Sequence, residues 1–149
     1  MFIYYQIYIY NTMLTEYIQG IYNSDITTSF DRQIYKKYNI NIVINLTQLH
    51  EFVDLSIKKI RIPLSNDLNF HTDIKILNNN LTKILEFINN NYINNNILIV
   101  CETGITISPI IIALFIHKYG NINIADVKNI LKTKNDKICI DHDLTVFKI

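Results

Sequence analysis

Ile97-Leu98-Ile99-Val100 runs directly into Cys101-Glu102-Thr103-Gly104-Ile105-Thr106-Ile107-Ser108-Pro109. The apolar run is too short for a helix and lacks the alternation of a half-exposed strand, so it predicts a central strand covered on both faces. Ser108 is a natural N-cap and Pro109 a natural first helical residue; Ile110 to Tyr119 then reads as a helix, with Gly120 as its stop. The order is strand, tight loop, helix. Further strands are predicted at Tyr17 to Tyr22, Ile40 to Leu46 and Ile57 to Ile62, each short and rich in Ile, Val or Tyr. Leu77, Leu81, Ile84, Leu85 and Ile88 recur at helical spacing, with Asn78 to Asn80 near the start of that helix. Asn89 to Asn91 and Asn94 to Asn96 read as a loop before the central strand. A last helix is predicted from Ile124 to Lys132, with Ala125, Val127, Ile130 and Leu131 as its apolar set. Alternating helices and apolar strands define an α/β fold, a central mostly parallel sheet flanked by helices.

A chain of 149 residues with 49% hydrophobic and 11% aromatic side chains forms one domain with a genuine core. Wholesale disorder and a disulfide-stapled scaffold are excluded. Fourteen Lys and Arg against thirteen Asp and Glu leave a net charge of +1, without the basic field that nucleic-acid binding needs. Cys101 and Cys139 are too few for a disulfide framework and suit a reducing, intracellular compartment. No apolar run of membrane-spanning length is present, and Met1 to Met13 lacks the positive start and cleavage site of a signal peptide, so no membrane association is expected. About a third of the chain is Ile or Asn, and Lys outnumbers Arg twelve to two. Ile, Asn, Lys and Tyr share A/T-rich codons, so a single Ile carries little information. An Arg replaced by anything but Lys carries more, because compositional drift alone would keep the charge.

A cysteine at the carboxyl end of a buried strand, followed by a compact turn into a helix, is chemically suggestive. Successive backbone amides and the positive end of the helix dipole form an anion nest, and such a field favours the thiolate. Ser108 can hydrogen-bond to the sulfur. The plain alternative is that Cys101 is a small hydrophobe ending a strand.

The loop resembles the dual-specificity branch of the cysteine-dependent protein phosphatases, whose pattern H-C-x5-R-S/T is often spelled CEAGISRSP. Val100 to Pro109 reads V-CETGITISP, matching at Cys101, Glu102, Gly104, Ile105, Ser108 and Pro109, with conservative changes at Thr103 and Thr106. Ile18 to Ser24 is similar to the first strand of that domain, Ile42 to Thr47 to its "vlNvt" strand, and Ile62-Pro63-Leu64 with Asp67 and Asp73-Ile74 to its "IPv-D----DI" segment. The resemblance spans roughly Glu16 to Lys132 and implies the cysteine-dependent phosphatase fold, with no cofactor and no metal. In an active member the cysteine thiolate attacks phosphorus, the loop arginine grips two equatorial oxygens, and an aspartic acid protonates the leaving oxygen. Here Ile107 stands at the arginine position and Val100 at that of the preceding histidine. By analogy with other phosphoryl-transfer arginines, that loss is worth about 10³ to 10⁵ in rate. Arg32 and Arg61 are not aligned to substitute. The family's acid aligns with Asn66 or Asp67, of which Asp67 is chemically competent.

The resemblance therefore implies a pseudophosphatase, with vestigial nucleophile Cys101, vestigial acid Asp67 and a phosphate loop of Cys101, Glu102, Thr103, Gly104, Ile105, Thr106, Ile107 and Ser108, acting by binding a protein or phosphoprotein partner. A weakly active phosphatase using Cys101 and a structural dimerisation partner with an unused pocket are the alternatives. His50, His71, His117 and His142 lack metal-ligand spacing, Cys139 reads as packing, and Lys58-Lys59 beside the pocket could meet an acidic partner. Residues 1–15 form an aromatic extension preceding a domain of residues 16–149. Phe2, Ile3, Tyr4, Tyr5, Ile7, Tyr8, Ile9 and Tyr10 must bury somewhere, on their own domain or on a second subunit. In poxviral phosphatases of this type an exchanged N-terminal helix makes the dimer, which implies a homodimer here and, for a viral protein, a place in host cytoplasm or virion.

Overall fold

The computed structural model describes residues 13–65 and 71–149. The run that begins at Ile97 is the third strand of a five-stranded sheet. The strands are β1 (Leu14–Ile18), β2 (Ile21–Ser24), β3 (Ile40–Thr47), β4 (Lys58–Leu64) and β5 (Asn96–Val100), in the order β1-β2-β5-β3-β4. β5 pairs in parallel with both β2 and β3, β4 extends the parallel set, and only β1 is antiparallel. Ile97 and Ile99 enter the larger apolar cluster, whereas Leu98 and Val100 enter a second cluster with Val43. Both faces of β5 are thus covered, which is why its side chains are apolar without alternation.

The helices are α1 (Arg32–Lys37), α2 (His71–Asn91), α3 (Ile107–Gly120) and α4 (Ile124–Lys134). α3 is buried on all sides from Ile107 to Ile116 and forms the centre of the larger cluster. α2 buries Leu77, Leu81, Ile84, Leu85 and Ile88, the set its spacing predicts. Among the described residues no helix is long and apolar enough to cross a membrane.

Several expectations are corrected. The segment predicted as one strand at Tyr17 to Tyr22 is two, folded about Gly20 at φ +85. A Cβ at Gly20 would lie 3.1 Å from the Tyr92 carbonyl oxygen, so the turn is packed as well as left-handed. Asn89 to Asn91 are the last turn of α2 rather than loop, with the Asn91 amide donating to the Phe87 carbonyl at 2.8 Å, and Asn96 already belongs to β5. α3 starts at Ile107, so Ser108 is inside the helix rather than capping it; its hydroxyl is drawn inward to the cysteine. The left-handed residue ending α3 is Asn121, at φ +53, not Gly120. α4 buries Val127 and Leu131 but leaves Ala125 and Ile130 exposed. Cys139 is exposed, because Ile138 and Ile140 on either side turn into the core. Lys58 and Lys59 open β4, level with Ile42 and Val43, whereas the loop follows Val100, level with Asn45. At about 3.3 Å per residue they sit roughly 10 Å back from the loop, at the other end of the strands. Lys58 lies 4.7 Å over the Phe87 ring instead.

Burial pushes the Tyr17 phenol from 10.0 up to about 12, and raises that of Tyr35 for the same reason. The unfolded chain therefore ionises first as pH rises, and the stability linked to neutral phenols is complete below about pH 10 and lost on the way to 12. Urea midpoints should hold up to roughly pH 9 and fall beyond pH 10. A flat profile to pH 12 would contradict these burials.

Candidate functional site

The end of β2 and the end of β5 hold the loop between them. The Cys101 amide donates to the Ser24 carbonyl at 3.4 Å, and the Ile26 amide to the Glu102 carbonyl at 3.2 Å. Gly104 adopts φ +72 against this edge, where an added Cβ would lie 2.7 Å from the Asp25 nitrogen and 2.9 Å from the Ser24 carbonyl carbon. On the far side the Cys139 amide donates to the Ile105 carbonyl at 2.7 Å, so the exposed cysteine serves the loop through its backbone. Within the loop the Ile105 amide donates to Thr103 Oγ1 at 3.3 Å, and the Thr103 and Thr106 hydroxyls are 3.3 Å apart.

At the floor, Cys101 Sγ is fully buried and lies 3.1 Å from Ser108 Oγ. Asn23 of β2, also buried, donates from Nδ2 to the Gly104 carbonyl at 2.6 Å and to Ser108 Oγ at 3.0 Å. The sequence reading missed Asn23; the available signal was an amide set among Ile21, Tyr22 and Ser24 in a strand bordering the central one. Ile107, at the start of α3, is only 1% exposed and belongs to the larger core cluster with Cys101. Val100 packs into the cluster on the opposite face. Both departures from the phosphatase pattern are therefore apolar residues packed into the interior.

Neither arginine reaches the loop to replace the missing one. Arg61 on β4 donates to the Thr47 and His50 carbonyls at 2.7 and 2.6 Å, with its guanidinium 4.9 Å over Phe52. Arg32 donates to the Asp54 carbonyl at 3.0 Å. Arg61 thereby fixes the turn after β3 and presents His50, whose Nε2 is 3.7 Å from Glu102 Oε2 at the loop's edge. Both side chains are about half exposed, so the pair contributes roughly 0 to 1 kcal/mol. Sequence reasoning had no signal for it, since β4, α2 and β5 lie between the two residues in the chain. His117 Nδ1 lies 2.6 Å from the Ile122 carbonyl, a helix-end contact.

Asn66 and Asp67, the candidate acids, lie outside the described residues, as does most of the N-terminal extension. Just beyond the candidates, Asp73 is buried in the first turn of α2, accepts from the Ser65 hydroxyl, and places its carboxylate where the helix dipole favours it. Among the described residues no group of three or more His, Cys, Asp or Glu is gathered that could hold a metal. The site is a loop of backbone groups and hydroxyls at the start of a 14-residue helix, with a sulfur at its floor. Such a site suits an oxyanion held by neutral donors.

A parallel sheet with a Cys-x5 loop closing on a buried helix is the architecture of the cysteine-dependent phosphatases. The model of the dual specificity phosphatase catalytic domain matches residues 21–145, and the chain belongs to that family. No curated protein matches its sequence significantly. Among solved structures, a variant of human DUSP28 superposes with a TM-score of 0.77 at 9% identity, covering 89% of this chain and 89% of that one. The human tyrosine phosphatase-like serine/threonine/tyrosine-interacting protein gives 0.74 at 11% identity, covering 89% and 90%. OH1 from the Orf virus, a tyrosine phosphatase, gives 0.62 at 12% identity, covering 89% and 81%.

Proposed function

We propose that this chain is a pseudophosphatase of poxviral type, which keeps the phosphatase scaffold and acts by binding a protein or phosphoprotein partner. The observation that carries the reading is Ile107: the position of the oxyanion-gripping arginine holds an alkyl side chain packed in the core, with Arg32 and Arg61 committed to backbone carbonyls elsewhere. Similarity to a human protein whose own name is phosphatase-like and interacting supports it, and the Orf virus relative supports a viral setting and a host-cytoplasmic or virion location. Retention of a built loop around Cys101 favours a binding role for the pocket over a purely structural one.

Backbone amides and the α3 terminus survive the loss of the arginine, whereas the charge-assisted pair does not, and hydrogen bonds to charged groups contribute about 1.5 to 3 kcal/mol each. Calorimetric titration with inorganic phosphate should therefore give millimolar binding at best. Micromolar affinity would mean that a cation serves the loop and would sink the proposal. The second reading, slow hydrolysis through Cys101, draws on the 3.1 Å contact from Ser108 to the sulfur. Phosphate release abolished by Cys101→Ser would support it.

The aromatic extension in residues 1–15 extends the proposal to a homodimer. Sedimentation of the full chain at high micromolar concentration should show dimers, and deletion of Met1 to Thr12 should leave a folded monomer. A monomeric full-length chain would remove the dimer from the proposal.

A further inference from the structure

We infer that Asn23 is a positioning residue for Cys101, one that fixes the direction of the Ser108 hydroxyl proton so that the sulfur is held as a hydrogen-bond acceptor. The argument begins with the Gly104 carbonyl, which can only accept. At 2.6 Å from Asn23 it requires the amide nitrogen there, and this settles which way the side-chain amide points. The second N–H of the same nitrogen is then the one 3.0 Å from Ser108 Oγ, so the hydroxyl accepts at that contact. A serine hydroxyl has one proton, and with Asn23 on the accepting side that proton is left for Cys101 Sγ at 3.1 Å. The chain of donors runs one way: Asn23 amide to Ser108 oxygen, Ser108 proton to sulfur.

The other end of the amide supports this. Asn23 Oδ1 is buried and has no hydrogen-bond partner among the described residues, an arrangement that ordinarily destabilises a fold. A leucine would fill a strand position between core elements without that penalty. The amide is there for its donor end, which serves both the turn at Gly104 and the hydroxyl on the cysteine. The wiring involves neither position 107 nor position 100, so the inference stands apart from the pseudophosphatase reading, and its test requires no turnover.

The test uses the full chain and its two cysteines. Iodoacetamide forms an S–C bond at each sulfur and expels iodide; peptide mass spectrometry gives the rate at buried Cys101 relative to exposed Cys139 in the same molecule. Asn23→Asp keeps the shape but replaces the donor by acceptors, which turns the Ser108 proton away from the sulfur. The Cys101 rate should fall roughly tenfold. Ser108→Ala should cause a similar fall, and Asn23→Leu, which removes the donor without adding a charge, should change nothing more when added to Ser108→Ala. The infrared S–H band of Cys101, assigned by its absence in Cys101→Ser, should move to lower wavenumber in Asn23→Asp, because the freed Ser108 oxygen then accepts from the thiol. Asn23→Leu alone, which also serves if Asn23→Asp does not fold, leaves the hydroxyl undirected rather than turned away, so the rate should fall by less than in Ser108→Ala. A merely structural asparagine predicts the opposite: a loosened loop that speeds labelling of a buried sulfur, by the same factor with or without Ser108. Faster labelling, additive effects, or an unmoved S–H band in Asn23→Asp would each overturn the inference.

Discussion

Hydrolysis of a generic aryl phosphate by the purified chain is expected not to rise above the background that Cys101→Ser also shows, the missing arginine alone being worth about 10³- to 10⁵-fold in rate. The missing term is electrostatic. A guanidinium held across the loop stabilises charge on the phosphoryl oxygens as it develops, and preorganised donors of that kind usually supply the largest single share of catalysis. Ile107, an alkyl side chain packed in the core, can supply none of it. Arg61 would have to give up two carbonyls and the Phe52 ring to approach. Ile107→Arg should raise the rate in part, and more so with Val100→His, while lowering stability, since it moves a charge into packed apolar surroundings. That gain should disappear in Cys101→Ser and fall in Asp67→Asn. Measurable hydrolysis by the wild type that disappears in Cys101→Ser would refute the proposed loss of activity.

Gly104→Ala is expected to destabilise the protein by about 2 to 5 kcal/mol, read as a shift of the urea midpoint. Two costs combine. The left-handed φ of +72 is strained for any residue with a Cβ, and that Cβ would meet the Asp25 nitrogen at 2.7 Å and the Ser24 carbonyl carbon at 2.9 Å. Both are backbone atoms of the chain leaving β2, which a rotamer change cannot move aside. The loop would have to lift away, and with it the Gly104 carbonyl that orients Asn23. Gly120 provides the control: its nearest contact is an ordinary 3.6 Å and its φ is not left-handed, so Gly120→Ala should be close to neutral. Equal midpoints for Gly104→Ala and the wild type would show that the loop is not seated as described.

Local pattern was sufficient for the central features. Ile97 to Val100 could be read as a doubly covered strand, Leu77 to Ile88 as a helix face, and Cys101 to Pro109 as a loop entering a helix, because each depends on spacing within a dozen residues. The family followed from several such stretches in order, and so did the two departures, since a residue type that cannot do a job is visible without coordinates. Boundaries were less legible: Gly20 divides a stretch that looks like one strand, and the Asn runs continue α2 and begin β5 because their amides bind backbone carbonyls of their own and neighbouring elements.

The α/β class, the phosphatase loop and the isoleucine at its arginine position are short-range properties of residue type and order, legible along the chain. Long-range packing is what seals Ile107 into the core, puts Lys58 and Lys59 at the end of the sheet away from the loop, commits Arg61 to the turn carrying His50, and sets Asn23 beside Ser108 under the cysteine. Asn23 is 81 and 85 residues from its two partners in the chain. No local periodicity encodes such a separation; parallel pairing of β2 with β5 brings them together, and a parallel neighbour is chosen by the burial of whole strands rather than by any signal in either one.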